Sequence, residues 1–292
     1  MRKHIIFSIL TAAVLSLSAM PAAKAQSFSQ FILSGKAGSL AMGDISFVTP
    51  ELAAGRMQAA VSYGQWTPAS LKYGALQAGG FFAPSENLGI RLDYRNNMFS
   101  AFETIDANGN PGGTVKPSEQ RILAGASLRL AGKFFIDVNA KYLMADMGSA
   151  KASCFGGDLG LSLHESGMTV GLKLADLGTE YSFGQNAYSL PMRVQAGGSY
   201  ALSFAEVHSL TLGADLGYIL PEEYHSFMAA AGLEYAFNQM IFARAGYRYA
   251  SAVAPSFASF GLGFAFKGIG LDAAYLLSKP GNAWTVTLRV SL

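Results

Sequence analysis

The chain has 292 residues, a formal net charge of +2, 51% hydrophobic residues and only 14% charged ones. That balance is too apolar for an ordinary water-soluble domain, and without a basic run it excludes nucleic acid as a partner. A lone cysteine, Cys154, excludes an intramolecular disulfide.

The first 25 residues read as a secretory signal peptide. Arg2 and Lys3 are followed by an apolar run from Ile5 to Ala19 and by the cleavage pattern Ala23-Lys24-Ala25, so the mature chain is expected to begin at Gln26. No cysteine follows the apolar run, which argues against a lipoprotein. Beyond it no stretch of about 18 apolar residues lacks charges, so no helical span is expected. Mean hydropathy is nevertheless +0.27. An exported, hydrophobic chain without spanning helices can still satisfy its backbone in lipid by closing a β-barrel.

Residues 26–56 are expected to form a periplasmic N-terminal plug segment. Ser34 to Gly38 reads as a flexible lead, and Leu40 to Phe47 as a short strand or a plug against the inner wall. From 57 to 292 the chain alternates with period two, which predicts a transmembrane antiparallel barrel. The predicted strands are 57–66, 72–83, 87–99, 118–130, 133–146, 154–164, 167–177, 191–204, 207–219, 225–237, 240–250, 256–266, 268–278 and 282–292. These are fourteen, an even number as single-chain bacterial barrels require.

The last strand shows the logic. Trp284, Val286, Leu288, Val290 and Leu292 share one face, and Thr285, Thr287, Arg289 and Ser291 the other. An arginine facing lipid at mid-bilayer costs about 2–4 kcal/mol, so the face of Arg289 is the lumen. Parity places further cations inside: Arg91, Arg95, Arg121, Arg129, Lys141, Lys173, Arg193, Arg244 and Arg248. The matching anions are Asp93, Asp137, Asp158, Asp215, Glu234 and Asp272. Such a set can fill a narrow lumen with ion pairs, or it can line an anion-favouring pore. It argues against a wholly greasy path, although Phe81, Phe82 and Phe135 could form a local apolar pocket.

The connections alternate long and short. Residues 100–117, 147–153 and 178–190 are long, whereas Ala131-Gly132, Glu165-Ser166, Ala205-Glu206 and the turns near Asn238 and Lys267 are tight. Tight turns belong on the periplasmic side, so both termini of the barrel are expected there. The stretch 100–117 then becomes an extracellular loop. Asn108, Gly109, Asn110, Pro111 and Lys116 mark it as a solvated turn or, more sharply, a partner-contact loop.

Two patches carry a family resemblance. GKAGSLAMGDISF, from Gly35 to Phe47, and IDANGNPGGTVKPSE, from Ile105 to Glu119, resemble the PorV/PorQ family of outer-membrane proteins of Bacteroidota. Lys141-Tyr142-Leu143, with Ala145-Asp146 after it, is similar to that family's strand end. The family's WNPA segment has no counterpart in Val48 to Arg56. The resemblance implies a FadL-like fourteen-stranded barrel and a non-enzymatic accessory role in type IX secretion or surface attachment. Implied partners are outer-membrane lipid, secretion components and cargo C-terminal domains, and no cofactor is implied. A FadL-like channel for small hydrophobic or amphipathic solutes and a structural closed barrel are the alternatives.

Chemistry-bearing motifs are not seen. His164, His208 and His225 are dispersed near strand ends, and HExxH, CxxC and G-x-S-x-G do not occur. His208 and Asp215 share a strand but lie seven residues apart, about 23 Å at the usual rise, too far to pair. No catalytic, metal or cofactor-binding residue is expected.

Overall fold

In the computed structural model the described residues are 29–47, 52, 54–67, 72–105, 111–148, 150–183, 186–221, 225–279 and 281–292. The expected signal peptide and the loop residues Asn108, Gly109 and Asn110 lie outside them. A 3-10 turn, Ser29–Ile32, and a one-turn helix α1, Ala37–Ala41, precede the sheet. The strands follow as β1 Met57–Trp66, β2 Tyr73–Ser85, β3 Leu88–Phe99, β4 Phe102–Ile105, β5 Pro111–Val115 and β6 Ser118–Leu130. Next come β7 Phe134–Asp146, β8 Lys151–Glu165, β9 Met168–Gly178, β10 Tyr181–Phe183, β11 Asn186–Tyr188 and β12 Arg193–Phe204. The last are β13 His208–Ile219, β14 Ser226–Phe237, β15 Ile241–Ala250, β16 Phe257–Phe266, β17 Ile269–Leu277 and β18 Ala283–Ser291.

Fourteen of these strands close a single antiparallel barrel, each bonded to its sequence neighbour. β1 and β18 seal it, in register from Gln58 opposite Ser291 to Trp66 opposite Ala283. Backbone bonds between Met57 and Leu292 finish the seam at 3.0 and 2.8 Å. Closure leaves no sheet edge, the condition a strand-built protein must meet in lipid.

Two short hairpins, β4–β5 and β10–β11, form separate two-stranded sheets. They lie within the long connections 100–117 and 178–190. A pair of three- to five-residue strands in glycine- and asparagine-rich sequence has no lipid face, so it carries no alternation to read. The tight turns sit at the opposite rim, where left-handed residues turn the chain: Ala131-Gly132, Ser166-Gly167, Ala205-Glu206, Asn238-Gln239 and Lys267-Gly268 all have positive φ. The third of these turns falls on its expected pair, and the second is one residue later than expected because β8 runs through Glu165.

Side chains alternate across the wall. On β18, Trp284, Val286, Leu288 and Val290 are exposed, whereas Thr285 and Thr287 are buried. Around the barrel the outward set is predominantly apolar, including Leu92, Phe155, Leu172, Tyr247 and Leu262, the last 68% exposed. So continuous an apolar belt is a liability in water and a fitting surface for acyl chains. Aromatic rings thicken at both rims. Tyr63, Phe260, Tyr275 and Trp284 lie toward the long-loop end, and Phe82, Phe134, Phe204 and Phe237 toward the tight-turn end. Phe82 therefore points outward and does not join the inner pocket expected of it. That cluster forms instead from Phe81, Ala83, Phe135 and Leu52.

Candidate functional site: a stoppered, ion-paired lumen

The N-terminal segment lies inside the barrel. Phe31, Ile32, Leu33, Ala37, Leu40, Met42, Ile45 and Phe47 are each at most 7% exposed. The segment is neither a flexible lead nor a strand: α1 and the turn after it compress the chain so that it can cross the lumen. Its fixings come from strands around the circumference. Arg95 Nη1 donates to Leu33 O at 2.7 Å, and Ala37 N donates to Thr287 Oγ1 at 2.8 Å. Ser259 Oγ donates to Ala41 O at 3.0 Å and accepts from Gly43 N at 3.2 Å. Ser46 N donates to Asp215, and the Asp44 carboxylate accepts from Ser34 N at 3.1 Å while facing Arg248 at 3.7 Å.

A lane of glycines makes the seat. Gly213, Gly232 and Gly246 stand side by side on β13, β14 and β15, with Ser259 next on β16. A Cβ on Gly246 would sit 2.1 Å from Gly43 N, and one on Gly232 would sit 2.2 Å from Met42 O. One on Gly213 would meet Ile45 Cδ1 at 2.3 Å. At Gly232 and Gly246 backbone packs directly on backbone, an approach that only glycine allows.

Charges fill the remaining interior in three groups. Lys141 bridges Asp158 at 2.5 Å and Asp176 at 2.6 Å, and Arg193 closes on Asp176. Arg244 bridges Glu234 at 2.5 Å and Asp272 at 2.6 Å, and Arg289 reaches Asp272 at 3.2 Å. Arg121 meets Asp93 at 2.8 Å, and Arg95 and Arg121 both lie over the Phe31 ring at 5.4 Å. Removing one member of such a buried group strands its partner, which is costly. The other charges read from parity are distributed between these groups. Arg129 lies 5.1 Å over Phe135, Asp137 accepts from Ser127, and Arg91 and Lys173 are half-buried.

The sequence reading missed four interior charges. Asp44 and Lys36 ride on the plug, which has no period to follow. Glu119 shares the inward parity of Arg121 and is 2% exposed. Asp176 is the instructive case. Strict alternation from Lys173 would turn it to lipid, but β9 carries a bulge opposite Gly157–Leu159, and Asp176 adopts φ 58°. The extra residue resets parity and swings its carboxylate inward. An aspartate three residues after an inward lysine was the available signal. These anions narrow the cationic excess that parity alone gives. Pro111 belongs to β5, and Lys116 is exposed beyond it.

No family model matches the sequence, and no curated protein matches it. Solved structures do resemble the fold. The toluene transporter TbuX of Ralstonia pickettii superposes with a TM-score of 0.60 at 14% identity, covering 89% of this chain and 98% of its own. The CymD monoaromatic hydrocarbon channel gives 0.60 at 13%, covering 89% and 97%. The P. putida toluene transporter TodX gives 0.56 at 13%, covering 88% and 96%. At such identities the likeness is one of architecture: the chain has the fold of a FadL-like outer-membrane barrel.

Proposed function

We propose that the protein is a non-enzymatic outer-membrane barrel of PorV/PorQ type that serves type IX secretion or surface attachment through partner contacts. The observation carrying this reading is the stoppered lumen, pinned to the wall from β3 round to β18. A barrel filled by its own chain and by ion pairs offers partners its faces rather than a bore. The long-loop rim, read as extracellular, offers β4–β5, where Phe102 is exposed. The tight-turn rim, with the ends of β1 and β18, is read as periplasmic. Deleting the gene is expected to reduce surface display of cargo carrying a C-terminal secretion domain. A photo-crosslinker at Phe102 or Lys116 is expected to capture a secretion component or that domain. Unchanged display together with no captured component would overturn the proposal.

A route for small hydrophobic or amphipathic solutes is the second reading. It is favoured by the named activities of the fold's neighbours and by the apolar cluster of Leu52, Phe81 and Phe135 inside the tight-turn rim. Its warrant is fold analogy, which is weak because one fold hosts many functions.

A further inference from the structure

Below the plug, in the tight-turn half of the lumen, lies a cavity of about 150 Å³. Two glycines stand at or beside its lining, and the first makes room for the Asn139 amide. Gly125 stands in register between Arg91 and Asn139, and Gly160 stands between Asp137 and Lys173. A Cβ on Gly125 would fall 2.0 Å from Asn139 Oδ1. Ser46 and Phe47 of the plug border the space.

Two cations reach into this void from opposite flanks, Arg91 from β3 and Lys173 from β9. Among the described residues Arg91 has no ion pair or hydrogen bond. Among the described residues Lys173 has one carboxylate within 4.0 Å, Asp158, which Lys141 already holds at 2.5 Å. The one anion of the lining, Asp137, accepts from Ser127. His164 is tied to Ser162 at 2.9 Å and to Thr169 at 2.8 Å. The lining therefore holds two weakly compensated cations against one carboxylate. By contrast Lys141, Arg193, Arg244 and Arg121 are each held by a carboxylate at 2.8 Å or less, as burial favours.

We propose that this cavity is a binding site for a small oxyanion, a carboxylate or phosphate group held between Arg91 and Lys173. Arg91 supplies a planar fork that matches two oxygens, and Lys173 supplies a point charge from the far side. Asn139 contributes a polar wall between them. The site is independent of the partner role proposed above, since it opens on the tight-turn half and uses no rim hairpin.

Calorimetric titration of the full-length, detergent-solubilised protein tests it. Inorganic phosphate forms one arm and acetate the other, each against chloride at equal ionic strength. Wild type is expected to bind one or both saturably, one anion per barrel, and the arm that binds names the source. Arg91→Gln and Lys173→Gln are each expected to weaken binding by about tenfold or more, the loss of one charge-assisted contact. Arg91→Lys should fall between them and wild type. All three variants should melt in chloride close to wild type, since neither side chain has a close partner to lose. Absence of saturable binding in both arms, or unchanged binding in the double Gln variant, would overturn the assignment.

Discussion

Gly246→Val will loosen the N-terminal plug, so that it opens more often, while leaving the barrel folded. The strand itself tolerates the change, because valine is a favoured strand residue. The lumen does not. The first added carbon would stand 2.1 Å from Gly43 N and 2.3 Å from the Met42 carbonyl carbon, and both are backbone atoms with no rotamer to yield. Overpacking of this kind costs about 1–3 kcal/mol where the neighbours can shift, and more where they cannot. Opposing ejection are the plug's anchors Leu40, Met42, Ile45 and Phe47, each worth about 1.5–3 kcal/mol when fully buried. The clash falls in the middle of that row, where the turn Met42–Asp44 grips Gly232, Gly246 and Ser259 together. The native thiol reports the outcome. Cys154 is 3% exposed in a cluster with Phe31, Leu143, Tyr181 and Leu190. In wild type it should resist a water-soluble maleimide, whereas Gly246→Val should label roughly tenfold faster or more, the gain that about 1.4 kcal/mol of easier opening provides. Conductance across a planar bilayer should appear in the variant. Ala245→Val, one residue away on the outward face, is the control and should change neither quantity. Unchanged labelling and conductance in Gly246→Val would show that the glycine lane is not the plug's seat.

Asp176→Ala should destabilise the barrel by about 3–5 kcal/mol, the range for breaking a buried ion pair from one side. Asp176 is held by Lys141 at 2.6 Å and by Arg193, and all three side chains are at most 6% exposed. After its removal Lys141 keeps Asp158, but Arg193 loses its one ion pair among the described residues and keeps a 3.3 Å bond to Gln195. The exposed pair Lys133–Glu165 provides the contrast, since its side chains are about half exposed. Lys133→Ala should therefore cost about 0–1 kcal/mol. Asp176→Asn separates charge from backbone, because asparagine accepts the left-handed conformation at this bulge as aspartate does. It should lie between Asp176→Ala and wild type. Denaturant unfolding in liposomes gives all three values. If Asp176→Ala costs no more than Lys133→Ala, the interior cluster contributes nothing to holding the wall.

The barrel's strands were legible because two signals coincide along most of the chain. Alternation gives the body of each strand, and left-handed turn pairs such as Ala131-Gly132 and Lys267-Gly268 give the ends. β1 and β6 start and stop where the pattern does. β8 begins three residues early, since Lys151, Ala152 and Ser153 extend the ladder above the lipid, where apolar alternation is no longer required. The same limit hid β4–β5 and β10–β11. Inside the barrel, parity can place only residues on regular strands. It had no hold on Asp44 and Lys36, which sit on an aperiodic plug, nor on Asp176, which a bulge moves by one place. The glycine lane could have been noticed as an inward glycine near the middle of three consecutive strands. Its meaning depends on what lies against it, and that is a tertiary fact.

Neighbouring residues of the wall should meet opposite environments, hydrocarbon on one side and the protein's own N-terminal segment on the other. Nitroxide labels placed singly from Trp284 to Val290 in liposome-embedded protein measure this directly, using oxygen as the lipid-phase relaxer and a nickel chelate as the aqueous one. Oxygen should reach positions 284, 286, 288 and 290. Positions 285 and 287 should be shielded from both relaxers, because Thr285 bonds Gly35 O and Thr287 bonds Ala37 N. Uniform oxygen exposure along the strand, or ready access of the nickel chelate to 286 and 288, would contradict it.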